Sequence, residues 1–196
     1  MTRIVSGTVG GRTLAVPPSG TRPTSERVRE AMFSRLEHYG VIDGGRVLDL
    51  FAGSGALGIE AASRGAAEVL LVESARKAAD VARRNVATLG LGGTVRVLAE
   101  PAERCAARLA SDGGAGGPVV PFDLVLIDPP YDLAGAALAG ILVDLAAPGV
   151  LAPEAVVVVE RARRSGEPEW PDGLVPIASK TYGDTTVHYA EPDRPS

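Results

Sequence analysis

The stretch Val47–Gly58, VLDLFAGSGALG, restricts the fold more than any other part of the chain. Val47, Leu48 and Leu50 end an apolar strand, a glycine-rich turn follows, and Ala56, Leu57, Ile59, Ala61 and Ala62 open an apolar helical face. A strand, a tight turn and a helix in that order hold nucleotide-like cofactors at the carboxyl edge of a parallel sheet. Gly53, Gly55 and Gly58 spell GxGxxG, a spacing shared by dinucleotide sites, S-adenosylmethionine sites and ligand-free helix–strand packing. Other residues have to choose among these.

From Arg46 onward the pattern alternates. Apolar strands at Arg46–Leu50, Val69–Glu73, Val95–Leu98, Leu124–Ile127 and Val156–Val159 are separated by helical stretches near Ala56–Arg64, Ala75–Leu89, Ala102–Ala110 and Ala134–Ala146. Continuous apolar strands are those covered by helices on both faces, so the expected fold is α/β, a Rossmann-like doubly wound sheet. Ser111–Pro121 is too glycine-rich for an element and reads as a loop. Leu174–Tyr182 and Thr185–Tyr189, joined by Gly183-Asp184, read as a C-terminal antiparallel hairpin. Before the sheet, Arg3–Val16 reads as a small β-hairpin turning at Thr8–Gly11, and Ser25–Tyr39 as an amphipathic helix with Thr24 as its N-cap. The expected organisation is a hairpin extension over 1–20, a main domain over 21–190 and a disordered tail over 191–196.

A chain of 196 residues supports one sizeable core, and 45% hydrophobic with 22% charged residues is ordinary for a globular protein. No apolar run approaches the roughly 20 residues of a bilayer span, and the N-terminus lacks a signal-peptide core, which predicts a cytoplasmic protein. Cys105 is the single cysteine and His38 and His188 are isolated, so neither a disulfide nor a metal site is expected. A net charge of −4 argues against a uniformly basic nucleic-acid binder, but residues 1–36 carry six arginines against Glu26 and Glu30. One end of the molecule is therefore expected to meet phosphates, with Arg3, Arg12 and Arg22 as candidate RNA contacts.

Asp49 sits four residues before Gly53, where it would repel a pyrophosphate and favour the sulfonium and ammonium of S-adenosylmethionine. Glu73, ending the next strand, is placed to accept hydrogen bonds from ribose hydroxyls. Around them Ala52, Gly53, Ser54 and Gly55 form the loop, Ser74 follows Glu73, and Ala102, after Glu100-Pro101, offers a backbone N–H near the adenine.

The fourth strand, FDLVLIDPPY, ends in Asp128-Pro129-Pro130-Tyr131. The prolines remove two donors and fix the turn, leaving carbonyl oxygens for the cleft. Such a site suits an exocyclic nucleobase amine: Asp128 and the Pro129 carbonyl each accept one N–H, the nitrogen lone pair turns to the methyl group, and Tyr131 stacks on the base. In-line positioning then carries the catalysis without metal or covalent nucleophile.

Asp128–Tyr131 matches the (D/N/S)PP(Y/F/W) signature of amino-group methyltransferases, and LDLFAGSG resembles their S-adenosylmethionine motif, with Phe51 standing where the broader ExGxGxG form has its first glycine. From RIVSGTVGGRTLAVP through RPTSERVREAMF to YGDTTVHY, residues 3–190 resemble the bacterial 16S rRNA (guanine-N2)-methyltransferase family. The resemblance implies a seven-stranded class I methyltransferase sheet, one target guanine in 16S rRNA on an assembled or nearly assembled 30S particle, an N-terminal hairpin that grips RNA, and Arg22–Thr24 close to the methionine end of the cofactor. A monomer is expected, since no extended exposed apolar stripe is evident. DPPY alone does not separate guanine from adenine, so DNA adenine-N6 methylation remains open, although the chain lacks a segment large enough to read duplex sequence. A dinucleotide oxidoreductase leaves DPPY unexplained, and a non-catalytic RNA-binding assembly factor is distinguished by the fate of an Asp128→Ala variant.

Overall fold

The computed structural model describes residues 2–17, 25–114 and 120–193. In chain order the strands are β1 (Thr2–Arg3), β2 (Thr13–Leu14), β3 (Arg46–Leu50), β4 (Glu68–Val72), β5 (Val95–Leu98), β6 (Phe122–Ile127), β7 (Leu151–Ala162), β8 (Leu174–Tyr182) and β9 (Thr185–Pro192). The helices are α1 (Glu26–Tyr39), α2 (Ala56–Ser63), α3 (Arg76–Thr88), α4 (Ala102–Gly114) and α5 (Gly135–Leu145). Strands β3 to β9 form one sheet in the order β5-β4-β3-β6-β7-β9-β8, parallel from β5 to β7 and antiparallel at β9 and β8. β1 and β2 pair separately, Thr2 opposite Leu14 and Arg3 opposite Thr13.

Alternation along the strands divides the core into two layers. Val47, Leu124 and Leu126 face one side, with Met32, Phe33 and Leu36 of α1, Leu57 and Ile59 of α2 and Val86 of α3. Leu48, Leu50, Val125 and Ile127 face the other, with Leu109 of α4 and Leu138, Ile141 and Leu142 of α5. Because both faces are covered, the central strands are mostly apolar, as the sequence pattern predicts, with Asp49 of β3 the buried exception. The chain runs from β3 out to β5 and returns to place β6 on β3's other side. The β3/β6 boundary is thus the switch point at which open α/β sheets bind ligands.

Several boundaries differ from the sequence reading. The N-cap of α1 is Ser25, whose hydroxyl accepts the Val28 N–H at 3.3 Å; Thr24 lies outside the described residues. α4 does not end at Ala110 but continues through Ser111-Asp112-Gly113-Gly114. There Gly113 lies so close to the chain at Pro148 that a Cβ would come within 2.8 Å of the Pro148 carbonyl oxygen, so glycine permits packing rather than breaking the helix. β7 starts at Leu151 rather than Val156, and β9 runs to Pro192, with Asp193 N–H bonded to the Gly173 carbonyl, so the C-terminal segment expected to be disordered is ordered to Asp193.

The N-terminal hairpin is held by buried polar groups. Glu60 on α2 is fully buried and accepts the N–H groups of Val5 and Ser6 at 2.7 and 3.0 Å. Arg64 Nε meets the same carboxylate at 2.8 Å, Arg29 Nε lies 3.7 Å from it, and Arg29 also donates to the Arg3 carbonyl. Ser63 adds bonds to Ser6, Thr8 and Val9. The hairpin's backbone therefore completes the solvation of a charge that could not otherwise stay buried.

Candidate active site

β3 and β6 run parallel in register, Asp49 opposite Leu126 and Leu50 opposite Ile127, about 4.8 Å apart. The glycine loop leaves β3 at Phe51 and the Asp128–Tyr131 turn leaves β6 one residue after that shared edge. The two stretches singled out from the sequence thus emerge side by side. Asp128, Pro129 and Pro130 are partly buried, whereas Tyr131 is 59% exposed, its ring open to stacking. The Pro130 carbonyl accepts the Leu133 N–H at 3.0 Å. Of the two proline carbonyls, Pro129's is then the one without a backbone partner among the described residues.

The loop is built by its own backbone and by two carboxylates. Ala52 N–H bonds to the Val72 carbonyl at 2.9 Å and Gly55 N–H to the Ala52 carbonyl at 2.7 Å, folding the turn against β4. Gly53 and Gly55 have φ of 56° and 85°; a Cβ on Gly55 would meet Leu71 at 2.8 Å, whereas above Gly53 the space is open. Phe51 also lies in the left-handed region, at φ 66°, the single described non-glycine residue to do so. It occupies the place of the first glycine in ExGxGxG, and it holds this left-handed backbone at a steric penalty of about 1–2 kcal/mol. Its ring packs on the core layer of α4 and α5.

Glu73 bridges the two edges of the cleft: Oε2 accepts the Gly53 N–H and Oε1 the Ala75 N–H, both at 2.8 Å. Each oxygen retains a lone pair, so a diol could be received without breaking either bond. Ser74 beside it is exposed. Asp49 is 1% exposed; one of its oxygens accepts the Gly58 N–H at 2.8 Å, fastening the start of α2, and the other has no hydrogen-bond partner. Burial pushes its carboxyl up to about 8, opposed by the Gly58 bond and reinforced by the charges of Asp128 and Glu73. Asp49 therefore lies beneath the loop. Ala102 is the first residue of α4, where an N–H has no intrahelical acceptor, and Glu100 is turned to Arg108 at 2.7 Å.

Of the arginines read as RNA contacts, Arg3 pairs with Glu26 at 2.9 Å, Arg12 is exposed, and Arg22, like Thr24, lies outside the described residues. Arg29, one of the six counted in the basic N-terminal segment, is 1% exposed and belongs to the Glu60 network. The basic end is accordingly weaker than its charge count suggests. One site residue escaped the sequence reading: Asn85, 5% exposed on α3, donates from Nδ2 to the Ser54 carbonyl at 2.9 Å and so holds the glycine loop from below. A polar side chain beside Ala82 and Val86 on an otherwise apolar helix face was the available signal. Among the described residues no cluster of metal-ligating side chains occurs, and no helix is long and apolar enough to cross a membrane.

Residues 2–191 match the family model described as Conserved hypothetical protein 95. The chain is 40% identical over 174 residues to ribosomal RNA small subunit methyltransferase D of Escherichia coli K12, covering 86% of this chain and 79% of that one. It is 38% identical over 186 residues to YlbH of Bacillus subtilis, provisionally named an rRNA methyltransferase, covering 94% and 96%. The solved structure of yhhF from Escherichia coli, provisionally named a methyltransferase, superposes with a TM-score of 0.81 over 98% of each chain at 32% identity. The chain belongs to this family, that of the small-subunit rRNA methyltransferase D proteins.

Proposed function

We propose, from membership of this family and the shared β3/β6 edge, that the chain methylates the exocyclic N2 amine of one guanine in 16S rRNA on an assembled or assembling 30S particle. The methyl donor in this reading is S-adenosylmethionine, which supplies an electrophilic methyl carbon on a sulfonium. The open space above Gly53 and the remaining lone pairs of Glu73 fit such a group: Glu73 would take the ribose, Ala52 to Gly55 the methionine end with Thr24, and Ser74 and Ala102 the adenine side.

Asp128 accepts one N–H of the target amine and the Pro129 carbonyl the other, which draws the nitrogen toward a pyramidal form with its lone pair aimed across the β3/β6 boundary. Tyr131 presents a face on which the extruded base stacks. In transfer the N–C bond would form as the methyl carbon's bond to sulfur breaks and a neutral thioether leaves; the cationic nitrogen then gives up one proton, from the Asp128-bound N–H, to that carboxylate or to solvent. The Asp49 oxygen left without a hydrogen-bond partner below the loop becomes easier to ionise when a cation binds above it and harder when a pyrophosphate does, which supports S-adenosylmethionine over a dinucleotide.

The observation that carries this reading is the register of β3 and β6, which brings the glycine loop and Asp128–Tyr131 to one edge. The experiment is nucleoside mass spectrometry of 16S rRNA in undermodified 30S particles incubated with the protein and S-adenosylmethionine, with naked 16S rRNA and duplex DNA as parallel substrates. A single N2-methylguanosine appearing in particles supports the reading. N6-methyladenine in the duplex, or no modification of any substrate, overturns it.

A further inference from the structure

The turn that bears Tyr131 faces a second wall besides the glycine loop. β7 lies on β6's outer side with Ile127 opposite Val159, and it continues three residues past that pair. Glu160-Arg161-Ala162 therefore runs alongside Asp128-Pro129-Pro130, and Pro129, Pro130, Tyr131, Arg161 and Ala162 line one hollow. A wider hollow continues outward from Tyr131 along Ala162, Arg163 and Arg164. Arg163 and Arg164 are exposed on the short 3-10 turn Arg163–Ser165. That turn is pinned to the C-terminal hairpin, Arg163 N–H bonding to the Asp184 carbonyl at 2.7 Å. None of the three arginines forms an ion pair with another described residue. Among the described residues lining the two hollows, the three arginines meet two acids, Glu160, 9% exposed, and Asp184 on the hairpin tip, while Asp128, Asp132 and Glu167 lie on the adjoining segments.

Resting on the RNA-methylating reading above, we propose that Arg161, Arg163 and Arg164 hold the phosphate backbone of the strand whose base stacks on Tyr131. Phosphate contacts fix register and orientation without reading sequence, and the planar guanidinium fork matches phosphate oxygens. Held on a strand end and a pinned turn, the three side chains lie beside the base-accepting ring rather than across the molecule from it. The described N-terminal segment offers less: on the hairpin Arg3 pairs with Glu26 and Arg12 stands exposed, and Arg29 of α1 is buried. This wall sets three guanidinium groups where a backbone would enter the cleft.

The test compares wild type, the double variant Arg163→Ala/Arg164→Ala and a control, Arg83→Ala/Arg84→Ala, which removes two exposed charges from α3. Binding to 16S rRNA and to undermodified 30S particles is measured between about 50 and 200 mM salt, with S-adenosylmethionine affinity and methyl transfer in parallel. The proposal expects the Arg163/Arg164 variant to bind RNA at least about tenfold more weakly, with a log–log salt slope shallower by about 1.4–1.8, as two lost phosphate contacts require. Cofactor affinity and the control are expected to stay at wild-type values. An unchanged slope in the variant, or an equal loss in the control, overturns it. If wild type binds RNA through these arginines yet methylates no guanine, the functional reading fails and the surface stands. If both proteins methylate guanine and bind alike, the surface fails and the functional reading stands.

Discussion

Asn85 and Ala15 are joined by two hydrogen bonds, Nδ2 donating to the Ala15 carbonyl and Oδ1 accepting the Ala15 N–H, both at 2.9 Å. The side chain imitates a strand partner for the segment after β2, while its second Nδ2 hydrogen goes to Ser54 in the glycine loop. One buried carboxamide thereby joins the N-terminal strap, helix α3 and the glycine loop.

Replacing Asn85 with leucine strands those backbone groups and is expected to destabilise the protein by about 1–3 kcal/mol. Because Ser54 loses its support, the proposed binding of S-adenosylmethionine at this loop is expected to weaken as well. Asn85→Asp keeps the acceptor for the Ala15 N–H and loses both donors. Hydrogen exchange at the Ala15 amide should therefore be faster in the leucine variant than in the aspartate one, and similar rates in the two would remove Asn85 from this role.

Glu60 holds the hairpin, Arg29 and Arg64 together. Glu60→Gln leaves the buried Arg29 without its ion-pair partner and Arg64 with Glu37 alone, so a loss of about 3–5 kcal/mol in urea unfolding is expected. Deleting residues 2–16 removes the Val5 and Ser6 donors and should destabilise the whole domain. The hairpin cannot be treated as a detachable RNA-binding arm. A truncated chain with wild-type unfolding free energy would contradict this.

The carboxyl of Asp49, raised to about 8 by burial, gives stability a definite pH dependence. In the unfolded chain the group titrates near 3.9, so between about pH 4 and 8 the folded state holds the extra proton. Stability falls as pH rises through that window, by at most about 1.4 kcal/mol per pH unit, and the loss is complete above the folded value. Asp49→Asn keeps an acceptor for Gly58 and should flatten the dependence. Denaturation midpoints from pH 5 to 9 decide it: identical slopes in both proteins would show that Asp49 is ionised throughout.

Phe51 combines a half-buried ring with a left-handed backbone, and two substitutions separate these. Alanine loses the ring and keeps the strain, whereas glycine loses the ring and relieves it. Both should destabilise, Phe51→Ala by about 1 kcal/mol more than Phe51→Gly. Equal losses would mean that φ 66° carries no penalty here.

The sheet was legible in the sequence because its central strands are buried on both faces, which writes apolar runs such as Leu124–Ile127, interrupted in β3 by Asp49 alone among its buried residues. The joining of Gly53–Gly55 to Asp128–Tyr131 followed from strand order once both were read as turns at carboxyl ends. Long-range polar pairing was not legible. Arg29 reads as a surface charge because its partner Glu60 sits on another helix, and Asn85 serves Ala15 and Ser54, which are remote in sequence. Ser111–Gly114 looked like a loop because composition records helix propensity but not the carbonyl of Pro148 that Gly113 must pass.

The central claim is that Asp128 acts on the amine and not on the cofactor, and it is tested by titrating Asp128→Ala with S-adenosylmethionine while measuring single-turnover methyl transfer to undermodified 30S particles. The predicted result is cofactor affinity like that of wild type with transfer slowed at least about 100-fold, the order expected when a positioned nucleophile is released. Parallel loss of cofactor binding, or transfer at the wild-type rate, would contradict it.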